Sequence, residues 1–232
     1  VREDALTTFT TKGFAKFYGF PDAPIIRAAV GENLDEIPFQ SKVRGDWLLF
    51  VGKMDRIKGP HTAINWARAL NKTVVLFGPV SNRLFFNTHV RTQLDYIASS
   101  VENTLDLAKR VPPGKIIYGG LISRLAIWDA YLEAGITIVP SQCEEAMSRV
   151  VQEAMLTGCP VIATDRGGIF ESMGEGIGGR VVTSIDEVLA ADKTLPQWYD
   201  PQKAREHILT TRTPEVMTDS CDIIYNGVAK WR

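Results

Sequence analysis

The sequence predicts an α/β protein with a doubly wound parallel sheet, and three observations carry that expectation. The apolar runs at 47–51, 73–77, 115–118, 135–139 and 160–164 are short, and β-branched or bounded by Gly or Pro. Strands covered on both faces read this way. Stretches with helical apolar spacing separate them, so strand and helix alternate along the chain. Several strand ends run into glycine turns, at Gly52, Gly78-Pro79, Gly119-Gly120 and Gly167-Gly168, and ligands of such sheets collect at the carboxyl ends of strands.

Composition bounds the function. With 232 residues, 45% hydrophobic, and a net charge of -1, the chain can bury one full core and part of another. No basic excess points to a nucleic-acid partner, and no acidic block reads as a tail. No apolar run of about 18 residues and no signal-peptide pattern occurs, so nothing predicts a transmembrane segment or secretion. Cys143, Cys159 and Cys221 are odd in number and lack metal-ligand spacing. Free thiols and a cytoplasmic location follow as expectations. The chain begins at Val1, which suits either a piece of a longer protein or a processed N-terminus.

In chain order, residues 1–40 hold one helix near Lys12 to Tyr18 among extended and turn-rich pieces. The first strand, Trp47 to Val51, leads into Gly52-Lys53-Met54-Asp55-Arg56-Ile57-Lys58-Gly59. Pro60 then fits the first turn of a helix, so two lysines and free N–H groups gather at one spot. The bland alternative is that both lysines are solvated loop charges. His61 reads as a capping or surface residue, and His89 and His207 have no partner pattern. A helix over Thr62 to Leu70 returns to a strand at Thr73 to Phe77. One long helix is expected over Arg91 to Arg110, preceded by Phe85 and Phe86, whose commoner use is packing. A third strand, Lys115 to Tyr118, ends at Gly119-Gly120. Past Gly168 come a strand near Gly178 to Val182, a helix at Asp186 to Ala191 and a loop from Lys193 to Asp200. Helices at Pro201 to Leu209 and Thr213 to Trp231 finish the chain, the last with Thr213 as N-cap and Pro214 at N1.

The chain is organised around Gly135 to Gly168. This stretch reads as a strand, a turn at Pro140-Ser141, a helix containing Glu145 and Glu153, and a second strand ending in Gly167-Gly168. If the helix begins near Glu145, the two carboxylates stand roughly 12 Å apart along its axis. One metal, or an acid/base pair on one small substrate, would need them much closer. A long ligand with hydroxyls at both ends and a phosphate bridge between them suits that separation, the phosphates lying near the helix N-terminus. Glu153 also has a structural reading, as the partner of Arg149 one turn earlier. Glu144 competes with Glu145 for the helix start.

Glu145-x7-Glu153, with Ala154-Met155 and Gly158-x-Pro160, resembles the C-terminal donor-binding domain of the family 4 retaining glycosyltransferases, which have the GT-B fold. The family wording is E-G-F-G-x4-E-A-M-x-x-G-x-P-V, and here Ala146-Met147-Ser148 stand for Gly-Phe-Gly. The family's G-R-x4-K-G corresponds to Gly52-Lys53 through Lys58-Gly59, with lysine for arginine. Its G-x-V-S loop corresponds to Gly120-Leu121-Ile122-Ser123, and its G-G-x-x-E to Gly167-Gly168-Ile169-Phe170-Glu171. The resemblance covers residues 47–183 and implies a Rossmann-like donor domain over 41–205. It further implies that 1–40 is a connector or remnant of an N-terminal acceptor domain, most of it missing. Residues 206–232 would form a terminal helix packing back on the N-terminal part.

What the resemblance implies chemically is transfer from a nucleotide-diphosphate sugar, with retention, to an acceptor glycan, lipid or small molecule. Gly52, Lys53 and Lys58 would hold the diphosphate, and Leu121 and Ile122 would border the base. Glu145 would take the sugar hydroxyls, the backbone of Ala146, Met147 and Ser148 the phosphate or sugar, and Glu153 the ribose. Lys58 and Glu145 are the catalytic candidates, working by electrostatic stabilisation. The scheme requires no metal and no cofactor beyond the donor substrate, and the sequence offers no metal-ligand cluster. A donor-domain fold that binds a nucleotide or nucleotide sugar without transferring anything is the alternative. Gly174-x-Gly176-x-x-Gly179 matches the dinucleotide fingerprint literally, but follows a helical segment and precedes a strand, the reverse of what that motif needs.

Overall fold

A computed structural model of the chain describes residues 7–31, 33–42 and 45–229. Seven strands form one sheet in the order β3-β4-β2-β1-β5-β6-β7. They are β1 (Leu48–Val51), β2 (Val74–Phe77), β3 (Tyr96–Ile97), β4 (Ile116–Gly120), β5 (Ile136–Val139), β6 (Val161–Thr164) and β7 (Gly179–Val182). Every pairing is parallel. The Rossmann-like, doubly wound expectation is therefore met.

Alternation along each strand explains why both faces are covered. Leu48 and Phe50 of β1 join Val74 and Leu76 of β2 in one core layer, while Leu49, Val75 and Phe77 enter the other. A two-residue side-chain period sends neighbours to opposite faces. One layer packs under α2 (Pro60–Leu70), whose start is followed in sequence by α3 (Arg83–Phe85). The opposite layer is covered by α4 (Val101–Arg110), α5 (Ala126–Glu133) and α6 (Arg149–Thr157). Chain order continues through α7 (Ile169–Ser172), α8 (Ile185–Lys193), α9 (Leu195–Trp198), α10 (Pro201–Thr211) and α11 (Pro214–Ala229). The first helix, α1 (Lys12–Phe17), precedes the sheet.

Three expectations about elements are corrected. No single helix runs over 91–110: a turn at Arg91–Gln93 leads to β3, and α4 starts only at Val101. Asp95 accepts the Ile116 N–H at 2.8 Å and binds Lys115 at 3.0 Å, which anchors β3 on the edge of β4. Ser100 then caps α4 by accepting the Asn103 N–H. The stretch 193–200 is not all loop, because α9 occupies Leu195–Trp198. Most consequential, Glu145 is not in a helix: it forms a bridge with Gly167, and α6 begins four residues later.

The cause of that late start is visible in the hydrogen bonds. The Glu145 carbonyl accepts from the Gly168 N–H at 2.7 Å. The Ala146 carbonyl accepts from the hydroxyls of Thr10 and Thr11 at 2.9 and 2.8 Å. Carbonyls taken by distant donors cannot start a helical ladder. The segment preceding the sheet thus braces the centre of the fold. Further ties are Glu171, which accepts the Lys12 and Gly13 N–H groups, the Arg27 N–H, which donates to Ser220 of α11, and the Val30 N–H, which donates to the Arg212 carbonyl. Arg205 of α10 donates to the carbonyls of Ile37 and Leu156, so α10, which runs through position 205, joins residues 33–40 to α6. Among the described residues no helix is long and apolar enough to cross a membrane.

Candidate functional site

The order β4-β2-β1-β5-β6 reverses direction between β1 and β5, and a ligand crevice is expected at the carboxyl ends of those two strands. A cavity of about 260 Å³ lies there. Phe50, Val51 and Gly52 contribute the end of β1, and Val139 and Ser141 the end of β5. Lys58 and Glu145 close it, with Met147, Ser148 and Arg149 leading into α6.

Lys58 reaches the cavity because the loop after β1 turns sharply. Asp55 caps a single turn at Arg56–Lys58 by accepting the Ile57 N–H, and Gly59 follows at φ 73. A Cβ at Gly59 would meet the Pro140 carbonyl oxygen at 2.1 Å, so only glycine lets this loop pack against the end of β5. Lys58 Nζ then lies 2.6 Å from Glu145 Oε1, and the Ser141 hydroxyl donates to the same oxygen at 2.6 Å. The Ser141 carbonyl in turn accepts from Thr164 Oγ1 at 2.7 Å. Two residues 87 positions apart in sequence therefore form a half-buried ion pair in one cavity.

Glu153 is placed differently. It is one turn into α6 and does not line the cavity. Its side chain is 14% exposed, receives the Tyr131 hydroxyl at 3.2 Å, and has Arg149 at 3.6 Å. Burial pushes its carboxyl above the ordinary value, against the opposing pull of Arg149, the Tyr131 hydrogen bond and Arg124. The same burial and the Glu153 charge push the Tyr131 phenol well up. A buried carboxyl whose pKa is shifted by burial and by a specific charge partner is a feature found at functional sites and in structural ion pairs alike. Arg149 links the two glutamates, since it lines the cavity and also faces Glu153.

Lys53 is exposed and does not line the cavity, whereas Gly52 does. Leu121 is 75% exposed past the end of β4, and Ile122 packs against the core. The helical ruler of roughly 12 Å between the glutamates does not apply, because only one of them is helical. Ser148 is also not a free donor: its N–H is given to Ser172 Oγ at 3.1 Å. The Met147 N–H has no acceptor among the described residues. Ser141 and Arg149 are the site residues that sequence reasoning passed over. Ser141 carried a signal, being a hydroxyl at the end of a strand four residues before Glu145.

Against this geometry, the sequence description of the glycosyl transferases group 1 family matches residues 35–209, well over half of the chain. The chain belongs to that family. It is 27% identical over 164 residues to the D-inositol 3-phosphate glycosyltransferase of Corynebacterium urealyticum, covering 67% of this chain and 34% of that protein. A glycosyltransferase of Rickettsia africae has a similar fold, with a TM-score of 0.71 at 18% identity over 98% of this chain and 64% of that one. Anabaena Alr3699/HepE, solved in complex with UDP, matches with a TM-score of 0.58 at 16% identity, over 81% of this chain and 49% of that one. The chain spans less than half the length of the curated relatives it matches. As a group 1 chain it has the fold expected of a GT-B C-terminal domain, and the glycine fingerprint at 174–179 lies between α7 and β7, in helix-turn-strand context.

Proposed function

We propose that this chain is the donor-binding half of a retaining glycosyltransferase that takes its sugar from a nucleotide-diphosphate sugar. The Lys58–Glu145 pair in a cavity at the β1/β5 switch point carries the reading. A lysine held at 2.6 Å from a carboxylate is preorganised: a diphosphate entering the cavity meets a positioned charge, and Glu145 is left facing sugar hydroxyls. The start of α6 adds its N-terminal dipole and the Met147 N–H to the same spot. As the glycosidic bond breaks, these groups stabilise the charge that develops on the departing nucleoside diphosphate.

Arg149 supplies the two-pronged cation that Lys53 does not bring to the cavity. When a ribose diol displaces Arg149 from Glu153, the guanidinium is released towards the phosphates. Lys53 then serves as an outer charge, and exposed Leu121 offers a surface for the base. Three free thiols, with Cys159 pushed up to about 12 by burial, suit a reducing, cytoplasmic compartment. The acceptor, whether glycan, lipid or small molecule, would be held outside these residues.

Thermal-shift titration with UDP-, GDP- and ADP-sugars, with NAD as control, tests the reading, followed by a transfer assay on the full-length gene product. Stabilisation by one nucleotide sugar, lost in Lys58→Gln and Glu145→Gln, supports it. Stabilisation by NAD alone overturns it. Donor binding with neither transfer nor hydrolysis favours the second reading, a nucleotide-sugar binding module, which the replacement of Gly-Phe-Gly by Ala146-Met147-Ser148 makes worth testing.

A further inference from the structure

A second cavity, of about 560 Å³, opens where residues 10–27 meet the α7–β7 turn and the C-terminal end of α10. It shares no lining residue with the Lys58–Glu145 cavity. Its charged and titratable lining consists of Lys12, Arg27, Glu171, Glu175, His207 and Arg212.

Arg212 is the anomaly. The residue is 8% exposed, and Nε and Nη1 are buried with no hydrogen-bond partner among the described residues. A buried guanidinium without an acceptor is costly, because nothing replaces the hydration that the ion has lost. Glu171 favours its charge from nearby, yet both Glu171 oxygens already accept amides, from Lys12 at 2.9 Å and Gly13 at 2.6 Å. Arg27 adds a second guanidinium whose charge opposes that of Arg212. His207 is turned away from its charged form by burial and by both arginines, and only Glu175 acts the other way. Three cationic side chains thus converge on a cavity with two carboxylates, one of them engaged.

We propose that this cavity binds a phosphate-class oxyanion, inorganic or as a phosphomonoester, held by Arg212 and Arg27 with exposed Lys12 beside them. Guanidinium forks match phosphate oxygens in pairs, and a dianion in the cavity that both residues line offsets the mutual repulsion of the arginines and the burial of the Arg212 charge. The Thr10 hydroxyl connects this cavity to the centre of the fold, since Thr10 lines it and also donates to the Ala146 carbonyl. The inference does not depend on the donor-site reading.

Inorganic phosphate and glycerol 1-phosphate, titrated at constant ionic strength and followed by calorimetry, test it. Saturable one-site binding is expected, about tenfold weaker in Arg212→Met and in Arg27→Gln, and unchanged in Lys58→Gln. Arg27 is exposed, so Arg27→Gln keeps the test decisive if Arg212→Met fails to fold. Whichever of the two anions binds more tightly identifies the free or esterified form. Failure to saturate, equal binding by Arg27→Gln, or loss confined to Lys58→Gln overturns the proposal, the last by locating phosphate in the donor cavity.

Discussion

Lys58 Nζ and Ser141 Oγ both stand 2.6 Å from one oxygen of Glu145, so each residue around it has a separable role. Replacing Lys58 by Met leaves Glu145 half-buried with only the serine, and donor affinity is expected to fall about 10- to 100-fold, with Lys58→Arg restoring part of it. Isothermal titration with the nucleotide sugar found by thermal shift measures both. Glu153 yields a pH prediction. Its folded pKa is raised, so ionising it opposes folding; that penalty is fully present above the folded pKa and disappears as pH falls below the unfolded carboxyl value. Glu153→Gln is therefore expected to be more stable than the parent at pH 7 by urea denaturation, the gap closing towards pH 4, while nucleotide-sugar affinity drops. Such a gain of stability with loss of binding is what a functional buried acid produces. The Cys159 thiol, pushed up to about 12 and fully buried, is expected to resist a disulfide reagent in the native protein while Cys143 and Cys221 react.

At the scale of elements, the strands and most helices were legible because each announces itself locally. Pro60 after Gly59 and Thr213-Pro214 before α11 are cap signals that the structure uses, whereas Ser100, the N-cap of α4, fell inside the single helix expected over 91–110. Two of the failures share one cause. β3 has two residues and exists only because Asp95 is tied to the start of β4, and the extended run 145–148 exists because Thr10, Thr11 and Gly168 take its carbonyls. Neither partner is near in sequence. Gly167 shows the same dependence: it stands at φ 57, and a Cβ there would meet the Glu145 carbonyl oxygen at 2.5 Å. Gly167→Ala is expected to destabilise the chain by about 1–3 kcal/mol in urea melts and to weaken donor binding by moving Glu145. Gly227→Ala, with open space at its Cβ, is the control expected to change neither.

For the whole molecule, a ligand bound at the β1/β5 switch point bridges strands from both halves of the sheet, so binding and global stability are linked. At 100 times its Kd, a nucleotide sugar is expected to add about 2.7 kcal/mol, or roughly 5–11 °C in Tm for a chain of this size. Calorimetric scans with and without ligand check this. An increase at the same excess in Glu145→Gln would mean that the ligand sits elsewhere. The segment before the sheet is also part of this unit, through Thr10, Thr11 and Glu171. Thr10→Ala combined with Thr11→Ala is expected to lower the melting temperature and donor affinity together.

The sequence by itself determined the parallel α/β architecture, the carboxyl ends of the strands as the place to look for a ligand, and Lys53, Lys58, Glu145 and Glu153 as the candidates there. Those follow from local apolar periodicity, glycine and proline punctuation and motif spacing, all written within a few residues. Only the tertiary structure decided that Lys58 rather than Lys53 faces the cavity, that Glu145 is held extended, and that Glu153 is buried against Tyr131. Side-chain direction depends on which distant carbonyls and hydroxyls close the loops, and contacts between residues as far apart as Thr10 and Ala146 are formed only when the whole chain is folded.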